Sequence, residues 1–319
     1  MEQYKLTTPV VLFFFLRVDS TMAVLSEIRK AKPEKIYLVG EGHRPERIGE
    51  EQKVLALRTL VESSIDWDCQ VFKNYVPEDI GAGKRISSGI SWVFETENKA
   101  IFLEDDVIPS QSFFRYCQEM LTYYENDRRI MAISGNNPIP NYSFSGDYTF
   151  SFTPLIWGWA TWRRAWQNYD FNVKKWPEVK KNHSIEKLFP NRIFYQYRVM
   201  EFDNAYRGIT YTWDYQFAFH ALINSGLCVV PKMNMVKNVG MGPDATNNKS
   251  KVNTTMGEAN EIEFPIQFKN EVIRDFGYDE YYFKHFIFKS YYSNPLFRIA
   301  YHIKRMIPKK IAQYVRDRR

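Results

Sequence analysis

In the first half of the chain the apolar residues come in short unbroken runs rather than in alternation. Pro9 to Leu16 is one such run, and Lys35 to Val39, Asp68 to Lys73, Ala100 to Leu103 and Arg129 to Gly135 are further short segments that read as strands. Bounded by turn residues, these segments predict strands, and the continuous run Pro9 to Leu16 predicts one buried on both faces. Between them lie segments of helical spacing: Thr21 to Lys30, with Asp19 or Ser20 as the expected N-cap, then Glu50 to Ser64, Lys84 to Glu95 and Ser112 to Tyr124. Strand and helix alternate four times, which predicts a right-handed, mostly parallel α/β sheet.

After Gly135 the pattern changes. Asn136 to Phe152 is turn-rich, and Ile156 to Trp166 carries Trp157, Trp159, Trp162 and Trp166. Four tryptophans so close together read either as a packing cluster under a long loop or as a wall that faces sugar rings. A further helix opens at Thr212 and stops at Asn224-Ser225-Gly226, and Leu227 to Pro231 reads as a strand. Lys237 to Thr255 is polar and rich in Gly and Asn, the composition of a mobile lid-like loop. From Pro295 onward, Leu296, Ile299, Ile303, Ile307 and Ile311 recur at helical spacing among eight basic residues and one acid, Asp317. This tail reads as an interfacial amphipathic helix broken at Pro308, or as a terminal helix docked on the main domain.

Composition narrows the picture. With 319 residues there is chain enough for one large or two modest domains, and 24 Phe, 21 Tyr and 8 Trp exclude a disordered protein. The net charge of +6 is concentrated in the tail, and no basic motif with interleaved aromatics stands apart from it to suggest nucleic-acid binding. Cys69, Cys117 and Cys228 are odd in number and too far apart for a zinc pattern, so they are expected as free thiols in a reducing compartment. The polar start Met1 to Lys5 lacks a signal-peptide pattern, and Val10 to Leu16 is too short to span a bilayer. None of the five histidines shows metal-ligand spacing.

One segment carries chemistry. The apolar run Ala100 to Leu103 ends abruptly in Glu104-Asp105-Asp106, followed by the turn signal Pro109-Ser110. Three adjacent carboxylates require water or a cation. As a solvated turn they need no further role; at the C-terminal end of a buried strand they suit Mg²⁺ or Mn²⁺ with a phosphate-bearing substrate.

Ile101 to Asp106, followed by Pro109 to Phe114, resembles the acidic motif and following helix of the GT-A-fold glycosyltransferases, especially bacterial nucleotide-diphospho-sugar transferases, and is similar to N-acetylglucosaminyltransferase I. Four further segments fit in order: Phe15 to Asp19, Trp157 to Trp162, Trp213-Asp214, and Val239 to Thr246. The resemblance covers roughly Pro9 to Thr246. It implies that Asp106 binds the metal that bridges the donor diphosphate, that Asp105 touches the ribose and that Glu104 touches the donor sugar. It further implies that Arg17 lies near the nucleotide or phosphates, that Glu41 accepts a hydrogen bond from a uracil ring, and that Lys84 or Arg85 faces the nucleotide, with Trp213 beside the donor. The family's catalytic base matches Asp214, whose alternative role is to cap the helix it opens. Relatives carry a His after the Asp-Ala-Thr of the glycine-rich loop, where this chain has Asn247.

The expected architecture is therefore a GT-A (Rossmann-like) mostly parallel sheet flanked by helices, with a basic amphipathic tail. Residues 1–290 would form the transferase domain, 1–135 binding the nucleotide sugar and 136–290 the acceptor, and 291–319 the tail. The expected activity is inverting transfer, dependent on Mn²⁺ or Mg²⁺, from a nucleotide sugar to a glycan or glycolipid acceptor, at the cytoplasmic face of an anionic membrane. A retaining transferase, a sugar-nucleotide hydrolase and a non-catalytic nucleotide-sugar-binding protein are the competing readings.

Overall fold

The computed structural model of the protein describes residues 4–210, 212–240, 257–296 and 299. The first half follows the predicted alternation. β1 (Val10–Phe14), α1 (Val18–Ala31), β2 (Lys35–Gly40), α2 (Glu50–Ser63), β3 (Gln70–Tyr75), α3 (Ala82–Thr96), β4 (Lys99–Glu104), β5 (Val107–Pro109), α4 (Gln111–Tyr123) and β6 (Ile130–Ser134) succeed one another. The second half adds β7 (Tyr148–Ser151), β8 (Trp159–Trp162), α5 (Arg163–Trp166), α6 (Trp176–Lys181), α7 (Arg192–Tyr206), α8 (Asp214–Ile223), β9 (Leu227–Pro231), β10 (Val236–Asn238) and α9 (Phe276–Tyr282).

Eight strands form one sheet in the order β3-β2-β1-β4-β8-β6-β9-β7. The pairs β3–β2, β2–β1, β1–β4 and β6–β9 are parallel, while β8 runs antiparallel to β4 and β6, and β7 antiparallel to β9. The result is the expected α/β class: a mostly parallel, Rossmann-like sheet between helices. Its two faces follow from the period of two along a strand. Val10, Leu12 and Phe14 pack with residues of α1, α2 and α4, whereas Val11 and Phe13 pack with Ile86, Ile90 and Val93 of α3 and Phe217 of α8. A third apolar cluster joins α6, α7 and the far face of α8 to Phe152, Phe283 and Phe288.

The structure corrects three local expectations. Helix α1 begins one residue before Asp19, with Arg17 at the N-cap and no side-chain cap bond. Neither Asp19 nor Ser20 caps it, because the Arg17 carbonyl already takes the Thr21 amide at 3.0 Å and hydroxyl at 2.5 Å. The tryptophan segment is no loop: Trp159 to Trp162 is a central strand, inserted between β4 and β6. Lys237 and Asn238, expected in a mobile loop, join Val236 in a strand that pairs antiparallel with β5 as a two-stranded sheet. Residues 241–256, with Asn247, and the tail beyond 299 lie outside the described residues. Cys69, Cys117 and Cys228 are free thiols. Among the described residues no helix is long and apolar enough to cross a membrane.

Candidate functional site

The chain runs from β1 outward to β2 and β3, then returns to the other side of β1 for β4. The direction of strand order thus reverses between β1 and β4, and in open α/β sheets the crevice outside the carboxyl ends at such a reversal receives ligands. Beyond β1 the sequence places Phe15, Leu16 and Arg17, and at the end of β4 it places Glu104, Asp105 and Asp106. The two groups meet. Arg17 Nη1 donates to Asp106 Oδ2 at 2.5 Å and reaches Asp105 Oδ1 at 3.4 Å, and the Phe15 amide donates to Asp105 Oδ2 at 3.2 Å. Helix α1 starts at the next residue, so its positive N-terminal end opens at the same place.

The small β5–β10 sheet closes the acidic turn from the other side. The Val239 amide donates to the Asp106 carbonyl at 2.8 Å, and Gly240 lies directly against the Asp106 carboxylate. A Cβ at Gly240 would overlap Asp106 Oδ2 and come within 2.9 Å of Arg17 Nη1. Only glycine leaves that carboxylate room.

Charge is concentrated here. Burial pushes the Asp105 carboxyl up to about 6, with Arg17 opposing and Asp106 adding to the rise. Glu104 stands well above the carboxylate range, through burial first and then the charges of Asp106, Asp105 and Asp214. Burial works against the Arg17 charge, but Asp105 and Asp106 more than offset this and hold its pKa above the usual value. Asp105 and Asp106 with the Arg17 guanidinium, and Glu104 beside them, gather hard oxygen donors at one place. Among the described residues no set of three or more His, Cys, Asp or Glu side chains encloses a metal ion by itself. The donor set fits a Mg²⁺ or Mn²⁺ ion that takes one or two carboxylates and completes its shell with substrate phosphates and water.

At the end of β2, Glu41 is buried, and its Oε1 accepts from the Gly42 amide at 3.0 Å and the Ile80 amide at 3.2 Å. Its Oε2 is buried with no hydrogen-bond partner among the described residues. Burial raises this carboxyl above its ordinary value, the two amides opposing. An orphaned acceptor of this kind is costly unless a ligand supplies the donor. Arg85, also buried, spends its guanidinium on the protein: Nε on the Gly40 carbonyl at 3.1 Å and Nη2 on Asn74 at 2.5 Å and 2.8 Å. It ties the ends of β2 and β3 together. Lys84 points out of α3 and is exposed.

Asp214 is the first residue of α8, and the N-cap position is held by Trp213 without a side-chain cap bond. The Trp213 ring is only 3% exposed and stacks on Trp159 at 5.3 Å, while its carbonyl accepts from the Tyr169 hydroxyl at 3.0 Å. It seats Asp214 rather than offering a free face. Asp214 Oδ1 is buried with no hydrogen-bond partner among the described residues. Burial raises the Asp214 carboxyl, partly offset by the Thr212 hydroxyl, by the Asp214 and Tyr215 amides and by Arg198. Because Asp214 also raises Glu104, the two carboxylates share one electrostatic environment. Behind Asp214, α7 contributes a buried ion pair, Arg198 Nη1 to Glu201 Oε2 at 2.8 Å, with Arg198 Nη2 donating to Thr153 Oγ1 at 3.2 Å.

Sequence reasoning missed Arg198, Glu201 and Gly240. The first two sit three apart among Phe194, Phe202 and Ala205 on the buried side of a helix, and charged residues on an apolar face were the available signal. Gly240 stood within a motif already noted, but its contact with Asp106 depends on a strand pairing that no local pattern announces.

The chain matches no family model and no curated protein. Solved structures align with it only in part. The mannosyltransferase PcManGT from Pyrobaculum calidifontis, in complex with GDP-Man and Mn²⁺, is 14% identical over 50% of this chain and 45% of its own, with a TM-score of 0.34. HddC from Yersinia pseudotuberculosis complexed with GMP-PN is 10% identical over 51% of this chain and 80% of its own, with a TM-score of 0.31. A second structure of HddC is 12% identical over 54% and 86%, with a TM-score of 0.32. The chain thus spans less than half the length of the mannosyltransferase, and overlaps this loose say nothing about its substrate or mechanism.

Proposed function

We propose that the protein is a metal-dependent, inverting glycosyltransferase that moves a sugar from a nucleoside diphosphate donor to a hydroxyl of a glycan or glycolipid acceptor. One observation carries the reading: Arg17 holds the acidic turn at the strand-order reversal, and Asp214, whose Oδ1 is buried with no hydrogen-bond partner among the described residues, is one of the carboxylates whose charge acts on Glu104.

The nucleotide lies across the carboxyl ends of β1, β2 and β4, where Glu41 Oε2 accepts from a ring N–H of the base. Arg17 and the N-terminus of α1 meet the diphosphate. Asp106 holds the metal, and Asp105 and Glu104 accept from ribose and donor-sugar hydroxyls. A metal held by Asp106 would, when bound, offset charge on the departing diphosphate. On the acceptor side Asp214 takes the hydroxyl proton as the acceptor oxygen bonds to the anomeric carbon and the bond to the diphosphate oxygen breaks. Burial raises its pKa and so strengthens it as a base, with the Thr212 hydroxyl, backbone amides and Arg198 opposing that rise. Attack from the face opposite the leaving group inverts the anomeric centre.

The basic tail from Pro295 onward supports a location at an anionic membrane surface, where each Lys or Arg contributes roughly 1 kcal/mol. Lipid-linked acceptors are concentrated there.

The test is turnover of UDP-, GDP- and dTDP-sugars with Mn²⁺, followed by NMR of the product anomer. Inverted product supports this reading; retained configuration, or free sugar as the sole product, replaces it with a retaining transferase or a hydrolase.

A further inference from the structure

Of the four tryptophans that mark residues 157–166, three are consumed by packing: Trp159 and Trp162 are each 2% exposed and Trp166 is 4% exposed. Trp157 alone of the four keeps part of its ring open. Its position is set by its neighbour. Gly158 has φ +61° and approaches so closely that a Cβ there would lie 2.6 Å from Val236 and 3.4 Å from Val107. Val107 directly follows Asp106, so the backbone next to Trp157 packs against the strand that leaves the acidic turn.

From Trp157 the aromatic surface continues onto the C-terminal segment. Phe286 meets Trp157 edge-on at 6.4 Å and stacks on Tyr282 at 5.4 Å. Tyr281 and His285 form a second pair at 4.0 Å, with Tyr142 against Tyr281 at 5.3 Å. Trp157, Phe286 and Tyr281 are half-buried and His285 is exposed, so faces and polar edges both remain available. Tyr282, beneath Phe286, lies in the electrostatic field of Arg198, Glu201 and Asp214. The ridge therefore runs from Trp157, next to the glycine that packs against Val107, to Phe286 above Tyr282, a ring on which the charges of Arg198, Glu201 and Asp214 act.

A pyranose ring matches such a surface, since its C–H face stacks on an aromatic ring while its hydroxyls need hydrogen-bonding groups around the edge. We propose that Trp157, Phe286, Tyr281 and His285 form the platform on which a pyranose of the acceptor stacks, presenting its neighbouring hydroxyl to Asp214. This inference rests on the transferase reading above for the acceptor's role, though not for the sugar contact itself.

The test uses the full chain and saturation-transfer NMR with the methyl glycosides of glucose, galactose, mannose, N-acetylglucosamine and N-acetylgalactosamine. Wild type binds at least one of them. Trp157→Ala weakens that binding by about tenfold or more, Trp157→Phe retains most of it, and Phe286→Ala falls between. Thermal melts confirm that each variant is folded, and affinity for the nucleotide sugar in Mn²⁺ stays within twofold of wild type. Absence of binding by every glycoside, or unchanged binding by folded Trp157→Ala, overturns the platform. If glycoside binding depends on Trp157 while no nucleotide sugar binds, the platform stands and the transferase reading falls. If nucleotide sugars bind and turn over while Trp157→Ala changes no glycoside affinity, the transferase reading stands and the platform falls.

Discussion

The two ends of the sheet solve the problem of holding a charged group in different ways. On the β3-β2-β1-β4 side, the parallel strands β2, β1 and β4, buried on both faces, end together, and the charged residues Arg17, Glu41 and Glu104 to Asp106 appear where each apolar run stops. Their position follows from topology. On the other side, Asp214 is held at the start of a helix by ring packing: Trp213 lies on Trp159, and Trp166 and Phe217 close around both. Its position follows from the shapes of its neighbours. Substitutions that touch charge should therefore matter most in the first region, and substitutions that touch packing should spread further in the second.

The largest expected effect is on turnover. Asp214→Asn is expected to lower kcat by roughly 10²-fold or more, the scale of losing a general base, with nucleotide-sugar affinity unchanged. Steady-state kinetics beside donor titration measures both. Loss of donor affinity instead would mean that Asp214 belongs functionally with the acidic turn, and the contrast between the two regions would disappear.

Next comes stability. Arg274 Nε donates to Asp279 Oδ2 at 2.6 Å, and its guanidinium lies between the rings of Phe152 and Phe276 at 3.8 Å and 4.1 Å. Asp279 is fully buried and also accepts from the Ser151 hydroxyl at 2.5 Å. Arg274→Met leaves that carboxylate without its cation, so denaturant unfolding should show a loss of about 3 kcal/mol. A loss below about 1 kcal/mol would show that ring packing, not the ion pair, fastens α9 to β7.

Much of the first region was legible in sequence because its signals are local. Buried strands such as Val10–Phe14 and Lys35–Gly40 announce themselves by their apolar runs, and the acids after Leu103 stand out because they interrupt one. The second region was harder to read. Trp159 to Trp162 is a strand through pairing with Lys99 to Phe102 on one side and with Ile133 and Ser134 on the other, partners that no window of local sequence contains. Helix α7 escaped notice because apolar, aromatic and charged residues alternate around it, its buried side including Arg198 and Glu201. The acidic turn stood out in the sequence as a cluster; the ion pair behind Asp214 required the tertiary structure.

Smaller effects follow from titration, and they take opposite signs in the two regions. The Arg44 guanidinium holds the Glu50 carboxyl down at about 2, against 4.5 when free. The folded state then binds this proton less readily than the unfolded one, so the contribution is present above pH 4.5 and lost as pH falls towards 2. For Asp279 burial pushes the carboxyl up to about 6 from 3.8, so the folded state binds the proton more readily and stability falls as pH rises from 3.8 to 6. Glu50→Gln should flatten the acid limb below pH 4.5 by about 1 kcal/mol or less, and Asp279→Asn should flatten the window between 3.8 and 6. Urea unfolding at intervals of half a pH unit resolves the two. Matching slopes in both variants would contradict the assignment.

The central claim is that the acidic turn binds a nucleotide diphosphate sugar through a metal held by Asp106. Calorimetric titration of wild type and Asp106→Ala with UDP-, GDP- and dTDP-sugars, each with and without Mn²⁺, tests it most directly. Wild type should bind one donor class in a metal-dependent manner, and the folded variant should lose that dependence together with the affinity. Unchanged affinity in folded Asp106→Ala, or no binding of any nucleotide sugar by wild type, would contradict the account.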